Sequence, residues 1–363
     1  MSESCSNGSP TCDLGRDGLD ILRLAASGRD GLARALDLPR FRGGQIARWV
    51  FDRGARDFGA MTDLPLSLRN GLAAMLGPIG PPTVVTSRGD GTVKELVRLG
   101  DGETIECVLM EHEWGRTACL STQVGCPIGC VFCASGQGGL SRDLTGVEIA
   151  GQLLALAGGG PPPGHAVLMG SGEPLLNVAN VLEALGLLCD GHAYSIPERN
   201  VTLSTVGSLR GIARLSESGR RIRLAVSIHA ADPALRRRLI PRKLDPLPEV
   251  VAAARAYAEA ARRRPTFEYV MLRGVNDGRG HADRLATLLG AGAHVNLVPY
   301  NSVPDGAFSP ADPSALARFE EVLTGRGLNV SVRRSAGRRL GAGCGQLRGR
   351  ISPERVRPRG EGT

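Results

Sequence analysis

The sequence is poor in aromatic residues and in lysine, and it has no long apolar run. Aromatic residues make up 4% of the 363 positions, and lysine occurs only at Lys94 and Lys243. No uninterrupted apolar segment approaches the ~18 residues that a membrane-spanning helix needs. The segment 1–13 has neither the basic start nor the apolar stretch of a signal peptide. These absences predict a cytoplasmic protein that makes no contact with a membrane.

Basic residues outnumber acidic ones. The chain has 44 Lys and Arg against 36 Asp and Glu, a formal net charge of +8 and an isoelectric point near 9.3. A positive surface potential attracts nucleic acid, so the composition favours a polyanionic partner. Because nearly all of this charge is arginine, a genome rich in G and C would produce the same bias. Charge alone therefore does not decide between the two explanations.

The nine cysteines are unevenly spaced. Three of them, Cys126, Cys130 and Cys133, lie within eight residues. Such clustering favours metal binding in a reducing compartment over a disulfide framework.

Composition and periodicity divide the chain into five parts. A polar leader is predicted to be disordered, and the next segment shows apolar residues at helical spacing. A segment with two β-like runs follows, then a long α/β core and a basic tail. The predicted parts are the leader 1–18, the helical accessory domain 19–80, the β extension or linker 81–112, the core 113–350 and the tail 351–363.

The core alternates short β-rich runs with longer helical runs. This order is typical of parallel strands joined by right-handed crossovers. Six such units predict an α/β fold with a partial (β/α)6 barrel. In barrels of this kind the chemistry lies on loops that follow the strands, and the cysteine loop falls at such a position.

The CxxxCxxC loop formed by Cys126, Cys130 and Cys133 offers three thiolates. Thiolates bind either zinc or an iron-sulfur cluster. A structural zinc site needs a fourth ligand, and the nearest histidines, His112 and His165, are not close in sequence. Three ligands would leave one iron of a [4Fe-4S] cluster open for S-adenosylmethionine (SAM). The loop therefore favours a radical SAM cluster.

A second candidate motif, Gly172-Glu173-Pro174, follows the next strand. A carboxylate beside backbone without Cβ atoms could accept hydrogen bonds from the ammonium group of SAM. The same tripeptide is also an ordinary turn at the end of a strand.

The ordered motifs of the chain resemble the RlmN/Cfr family of radical SAM adenosine methyltransferases. The resemblance covers residues 40–350. It rests on FRGGQIARWVFDRG, TACLSTQVGCPIGCVFC, LMGSGEPLLN, VTLSTVG, AVSIHA, FEYVMLRGVND, NLVPYN and CGQL, which occur in family order.

The resemblance implies a role for each matching residue. Cys126, Cys130 and Cys133 would bind one [4Fe-4S] cluster. Cys344 would be the cysteine that is itself methylated, Cys119 its disulfide-forming partner and Glu106 the proton acceptor. The implied SAM site consists of Gly172, Glu173, Ser204, Ser227, Ile228, His229 and Asn301.

The resemblance also implies a reaction and partners. One SAM would methylate Cys344, and a second would yield a 5′-deoxyadenosyl radical that abstracts hydrogen from the S-methyl group, before the methylene adds to adenine. The substrate would be an adenosine of 23S rRNA, with tRNA as a second candidate, and C2 is favoured over C8. An electron donor such as flavodoxin or ferredoxin and a monomeric state are expected.

Two positions depart from the family pattern close to the distal cysteine. Arg339 and Gly343 stand where members commonly carry an acidic residue and an alanine. Both bear on how Cys344 is positioned.

Other interpretations remain open from the residues alone. A radical SAM enzyme on a small molecule or protein would not need Cys344, and a zinc- or cluster-containing RNA-binding protein would not be an enzyme. Cys119 could be a buried inert thiol, His229 a core histidine and Asn301 a turn residue. The candidate phosphate contacts, each also explicable as part of a solvated helix face, are Arg40, Arg42, Arg236, Arg237 and Arg238.

Overall fold

A computed structural model of the chain describes residues 18–158, 160–303, 306–333 and 336–347. The predicted leader, apart from Gly18, and the predicted basic tail lie outside these residues.

Twelve helices and twelve strands follow one another along the described residues. The helices are α1 (Asp20–Ala25), α2 (Arg29–Ala35), α3 (Arg40–Ala47), α4 (Leu66–Leu76), α5 (Ala134–Gln137), α6 (Gly146–Ala157), α7 (Val178–Cys189), α8 (Leu209–Glu217), α9 (Pro233–Leu239), α10 (Leu247–Ala261), α11 (Arg279–Leu289) and α12 (Pro313–Gly325). The strands are β1 (Thr83–Gly89), β2 (Thr92–Arg98), β3 (Thr104–His112), β4 (Gly115–Cys119), β5 (Gln123–Gly125), β6 (Leu140–Asp143), β7 (His165–Leu168), β8 (Val201–Thr205), β9 (Arg223–Ser227), β10 (Thr266–Met271), β11 (His294–Pro299) and β12 (Asn329–Val332).

Ten of the strands form one open sheet in the order β1-β2-β3-β4-β7-β8-β9-β10-β11-β12. Every pair from β4 to β12 is parallel, and the pairs from β1 to β4 are antiparallel. Six β/α units therefore precede the last strand, and β1 and β12 are edges of the sheet. This confirms the prediction of an α/β fold built on a partial barrel. The three antiparallel strands extend the barrel wall on the side of β4.

Local sequence explains where α6 begins and ends. The hydroxyl of Thr145 accepts the N–H of Glu148 at 3.2 Å, and the Glu148 carboxylate accepts the N–H of Thr145 at 2.9 Å, which is a capping box. Gly158 ends the helix with φ +57°, a left-handed conformation that favours glycine. Every residue of α6 except Glu148 is buried, so the helix is a central support of the fold.

The N-terminal helices pack directly on the barrel. The guanidinium of Arg56 donates to the carbonyls of Leu154 and Ala155 at the end of α6, at 2.7 and 3.0 Å. A Cβ at Gly151 would lie 2.2 Å from a methyl carbon of Leu19, so the two parts approach closely at that position. The buried apolar residues of both parts form one continuous core.

No helix among the described residues is long and apolar enough to cross a membrane.

Candidate active site

The cysteine loop lies between β5 and α5. The N–H of Cys126 donates to Gly139 O at 2.8 Å, and the N–H of Cys133 donates to Cys130 O at 3.1 Å. Gly125, directly before the loop, has φ +83°, and a Cβ there would lie 2.0 Å from the Gly139 oxygen. Only glycine fits this turn, which folds the loop back on itself.

The environment of the three thiols fits an iron-sulfur cluster. Burial raises the pKa of Cys126 to about 12 and raises the pKa of Cys130 and Cys133, and each thiol interacts electrostatically with another of the three. Backbone N–H groups of Ile128 and Gly172 face the Cys126 sulfur, and those of Ser135 and Gly136 face the Cys133 sulfur. These donors stabilise thiolates, and cationic iron would do so more strongly, replacing the protons.

Among the described residues, no three His, Cys, Asp or Glu side chains form a group that could hold a metal ion. An iron-sulfur cluster needs a different arrangement of ligands, because each thiolate binds a separate iron and the three sulfurs do not have to meet at one metal ion.

Gly172 and Glu173 follow β7 beside the cysteine loop. Gly172 has φ +111°, and a Cβ there would lie 2.7 Å from the Thr122 hydroxyl. The Glu173 carboxylate accepts the N–H of Val206 at 2.8 Å and the N–H of Leu175 at 3.1 Å, and burial raises its pKa. The Thr205 hydroxyl also bonds to this carboxylate, which has about four acceptor positions, so one remains for the ammonium group that the sequence predicts there.

Ser204, Ser227, Ile228 and His229 lie at or just after the carboxyl ends of β8 and β9. The hydroxyls of Ser204 and Ser227 are 3.3 Å apart. Ile228 is fully buried, and its N–H donates to Glu268 O at 2.9 Å.

His229 makes contacts typical of a core histidine. It has φ +58°, and its Nδ1 accepts the N–H of Val270 at 3.0 Å. Burial lowers the pKa of His229 to about 3, so the ring is neutral at pH 7. The imidazole also meets the ring of Phe132 edge-on at 5.0 Å, and this contact supports the cysteine loop.

The segment 342–347 docks against the cysteine loop and the end of β11. Asn301 Nδ2 donates to Cys344 O at 3.0 Å. The N–H of Ala134 donates to Gly345 O at 2.8 Å, and the hydroxyl of Ser135 donates to Leu347 O at 2.6 Å. Cys344 is therefore held on both sides by groups of the candidate site.

The structure shows what surrounds Gly343 and Arg339, the two residues that depart from the family pattern. A Cβ at Gly343 would lie 2.9 Å from Asn301 Nδ2, so an alanine would press on the amide that holds Cys344. Arg339 is exposed and its Nε lies 3.4 Å from Asp90 in the turn between β1 and β2.

Cys119 and Cys344, 225 positions apart in the chain, line the same cavity of about 640 Å³. Both are free thiols. Burial raises the pKa of Cys119 to about 12, and a negative charge on Cys344 raises it further, which requires the two sulfurs to be near each other. Cys344 is exposed to the cavity, whose walls desolvate its thiol and raise its pKa, while Arg333 acts in the opposite direction.

The cavity follows the inside of the barrel. At one end it is lined by Cys133, Cys344 and Cys119, the last residue of β4. At the other end it is lined by the first residues of two strands, His165 of β7 and Arg223 of β9. Within the described residues, none of the seven predicted SAM-site residues lines it. The barrel therefore holds a space separate from the predicted SAM site, and the cysteines lie where the two approach each other.

Glu106 is buried in β3 and does not line the cavity. Met110, four residues further along β3, lies on the same face of the strand as Glu106, and Met110 does line the cavity. Lys94 Nζ lies 2.9 Å from Glu106 Oε1 and 3.4 Å from Gly341 O. Sequence reasoning missed Lys94, although its rarity as one of two lysines could have directed attention to it.

Arg236 is not a phosphate contact, so that prediction was wrong. Its guanidinium is buried and donates to the carbonyls of Ser227, Ile228 and Val206. Burial lowers its pKa to about 10. Its neighbours Arg237 and Arg238 on α9 are exposed, as is Arg40 on α3, whereas Arg42 is half-buried.

Both the N-terminal helical part and the barrel part of the chain match families of known proteins. Residues 120–285 match the radical SAM superfamily, and residues 24–76 match the ribosomal RNA large subunit methyltransferase N-terminal domain. A protein of Symbiobacterium thermophilum named probable dual-specificity RNA methyltransferase RlmN is 45% identical over 93% of this chain and 93% of its own length. A protein of the same name from Pelotomaculum thermopropionicum is 41% identical over 95% and 96%.

A solved structure shows the same fold. The crystal structure of a radical SAM methyltransferase from Sphaerobacter thermophilus superimposes with a TM-score of 0.81 at 39% identity, covering 90% of this chain and 99% of that one.

Proposed function

We propose that this chain, which belongs to the RlmN family of radical SAM RNA methyltransferases, methylates an aromatic carbon of adenosine in 23S rRNA. C2 is the favoured carbon and C8 the alternative, and tRNA is a second candidate substrate. The observation that carries the proposal is the cavity in which Cys119 and Cys344 lie together beside the cysteine loop.

Cys126, Cys130 and Cys133 would hold a [4Fe-4S] cluster, and the loops after β7, β8, β9 and β11 would hold SAM. When bound, these groups supply a methyl group for Cys344 and a 5′-deoxyadenosyl radical that abstracts hydrogen. The implied electron donor, a flavodoxin or ferredoxin, and the monomeric state belong to the same proposal.

Cys344 carries the methyl group in this proposal. An aromatic C–H carbon of adenine is a poor nucleophile, so direct polar methylation is unfavourable, and a carbon unit held on sulfur gives another route. The hydrogen bonds that the Asn301 side chain and the Ala134 N–H donate to backbone carbonyls fix the Cys344 segment beside Cys133. The sulfur can thus stay close to the cluster loop and still face the cavity that receives the base.

Cys119 releases the product. A thiolate attacks a second sulfur only when the two are within reach, and here they line one cavity. Because the pKa of Cys119 is raised to about 12, this residue is a protonated thiol at neutral pH, and it must lose its proton when it attacks Cys344.

Glu106 is the proposed acceptor of the proton that leaves the modified carbon. It lies in the wall formed by β3, on the same strand face as the cavity-lining Met110, and the ammonium of Lys94 lies 2.9 Å from its carboxylate.

Mass spectrometry of rRNA and tRNA nucleosides tests the proposal. The protein, reconstituted anaerobically and supplied with SAM and reductant, should produce a methyladenosine, and the Cys344→Ala variant should produce none. If the unaltered protein leaves both RNAs unmethylated, the proposed function is wrong. The position of the methyl group then decides between C2 and C8.

A further inference from the structure

The cavity reaches solvent at the end where the parallel strands begin. Three side chains that line it there are exposed, namely Trp114, Arg199 and Arg223. Trp114 lies in the turn between β3 and β4, Arg199 directly before β8 and Arg223 at the first position of β9. They surround a mouth at the opposite end of the cavity from Cys344.

Trp114 is held rigidly although it is exposed. Its indole stacks on the His112 ring at 4.4 Å with an angle of 9° between planes, and meets the His165 ring edge-on at 4.7 Å. Yet 62% of the residue is exposed. His112 covers one face of the indole, and most of the rest of the residue is open to solvent. An aromatic face fixed at the mouth of a cavity has no role in the core.

Arginines line this end of the cavity, and the exposed Glu111 and Glu113 lie on the β3–β4 hairpin that carries Trp114. Within the part of the chain that the structure describes, neither Arg199 nor Arg223 forms a salt bridge. Arg333 lines the same cavity closer to Cys344. An aromatic face between unpaired arginines is the combination that binds single-stranded nucleic acid, through base stacking and phosphate contacts.

We propose that Trp114 is a stacking platform for a nucleobase of the RNA, and that Arg199 and Arg223 bind the phosphates beside it. An adenosine that enters the cavity must leave its own stack and so loses its neighbours' stacking energy. The base next to it in the RNA loses a stacking partner in the same step, and at the mouth the indole takes the place of the extruded adenosine against that base. This inference rests on the proposed function, because it takes an RNA as the substrate.

Fluorescence of Trp114 gives a direct test. The chain has two tryptophans, so Trp49→Phe leaves Trp114 as the only one. A short RNA stem-loop with an unpaired adenosine should quench its emission, and the quenching should disappear when the base beside that adenosine is replaced by an abasic site. An RNA that binds without changing the emission overturns the proposal.

Kinetics separate this site from the chemistry. Trp114→Ala should raise the KM for RNA by about 5- to 150-fold, the usual range for one lost stacking contact. It should leave RNA-independent methylation of Cys344 unchanged. Trp114→Phe should keep most of the affinity, and Leu66→Ala, at an equally exposed position outside the cavity, should have no effect. An unchanged KM in Trp114→Ala overturns the proposal.

Salt dependence tests the arginines. Arg199→Gln and Arg223→Gln should each reduce the slope of log Kd against log salt by about 0.7, as expected for one lost contact to a single strand. Arg318→Gln, an exposed arginine on α12, is the matched control. Unchanged slopes for both variants overturn the phosphate contacts. Failure of the proposed function is distinguishable, because the protein would then methylate no RNA even if RNA quenched Trp114.

Discussion

The ammonium of Lys94 lies 2.9 Å from the carboxylate of Glu106. Both side chains are mostly buried, since 18% of the Lys94 side chain and 4% of the Glu106 side chain are exposed. Lys94 stands on β2 and Glu106 on β3, so the pair crosses two neighbouring strands of the wall beside the cavity. Through its second contact, to Gly341 O, Lys94 also joins this wall to the segment that carries Cys344.

Lys94→Met should destabilise the protein and also slow RNA methylation. Removing Lys94 takes away the cation beside the buried Glu106 carboxylate, and breaking a buried ion pair in this way costs about 3 kcal/mol of unfolding free energy. Lys94→Arg should retain most of both properties. Urea denaturation and single-turnover methylation provide the two measurements.

The double variant Lys94→Met with Glu106→Met gives the control for stability. Replacing a buried ion pair with apolar side chains is often nearly neutral. We therefore expect the double variant to regain at least half of the stability that Lys94→Met loses, while remaining inactive. A double variant as unstable as the sum of both single variants would show that the two charges do not interact.

Gln152→Leu should lower stability by about 2 to 6 kcal/mol. The Gln152 side chain in α6 accepts the N–H of Ser121 and donates to the Ser121 carbonyl, both at 2.8 Å and both buried. Leucine would leave both backbone groups without a partner, and each such loss costs about 1 to 3 kcal/mol. Ser121 lies two residues after Cys119, so disulfide formation with Cys344 should slow as well.

The matched control is Gln137→Leu, since Gln137 is exposed on α5. The same substitution there should change the unfolding free energy by less than about 0.5 kcal/mol. Equal effects at both positions would mean that the Gln152 bonds contribute nothing.

The sequence predicted the regular part of the fold well because local signals there are strong. The capping box of Thr145 and Glu148 marks the start of α6, and the predicted alternation of short β runs with longer helical runs is the observed one. In contrast, the sequence showed two β-like runs in the predicted β extension or linker 81–112, where the structure has three strands, because β1 is mostly exposed and lacks a buried alternating face. A strand at the edge of a sheet is stabilised by its neighbour, which periodicity does not reveal.

The candidate site was less accessible to sequence reasoning. The cysteine loop could be recognised from spacing, whereas the closeness of Cys119 and Cys344 followed only from the family resemblance. Arg236 resembled a surface charge, since nothing in three consecutive arginines shows that one of them is buried under backbone carbonyls. Trp114 was missed because its importance depends on where the cavity opens.

Cys119→Ala should trap the reaction before product release. If Cys119 attacks Cys344 to free the methylated base, its removal should leave RNA bonded covalently to Cys344. Denaturing gel electrophoresis with labelled RNA would detect a slowly migrating band, which Cys119→Ala combined with Cys344→Ala should abolish. Cys189→Ala, which removes a half-buried thiol outside the cavity, should turn over normally. Free methylated RNA released at the normal rate by Cys119→Ala would contradict the role of Cys119.

His229 should make the fold sensitive to mild acid. Its pKa is lowered from about 6.5 in the unfolded chain to about 3 in the folded protein, first because of burial and then because of the nearby charge of Arg236. Between these values the unfolded state binds a proton that the folded state does not. The contribution of His229 to the free energy of unfolding is therefore fully present above about pH 6.5. It decreases as the pH falls, with a slope approaching about 1.4 kcal/mol per pH unit.

His229→Asn isolates this contribution from the other five histidines of the chain. Asparagine tolerates the left-handed backbone at this position and can accept a hydrogen bond, but it does not titrate. Urea denaturation at pH 7 and at pH 5 should show a smaller acid-induced loss in the variant than in the unaltered protein. Parallel curves would mean that the folded protein binds a proton at His229 as readily as the unfolded chain. In that case the imidazole must reach solvent, and its bond from Val270 N cannot be maintained below pH 6.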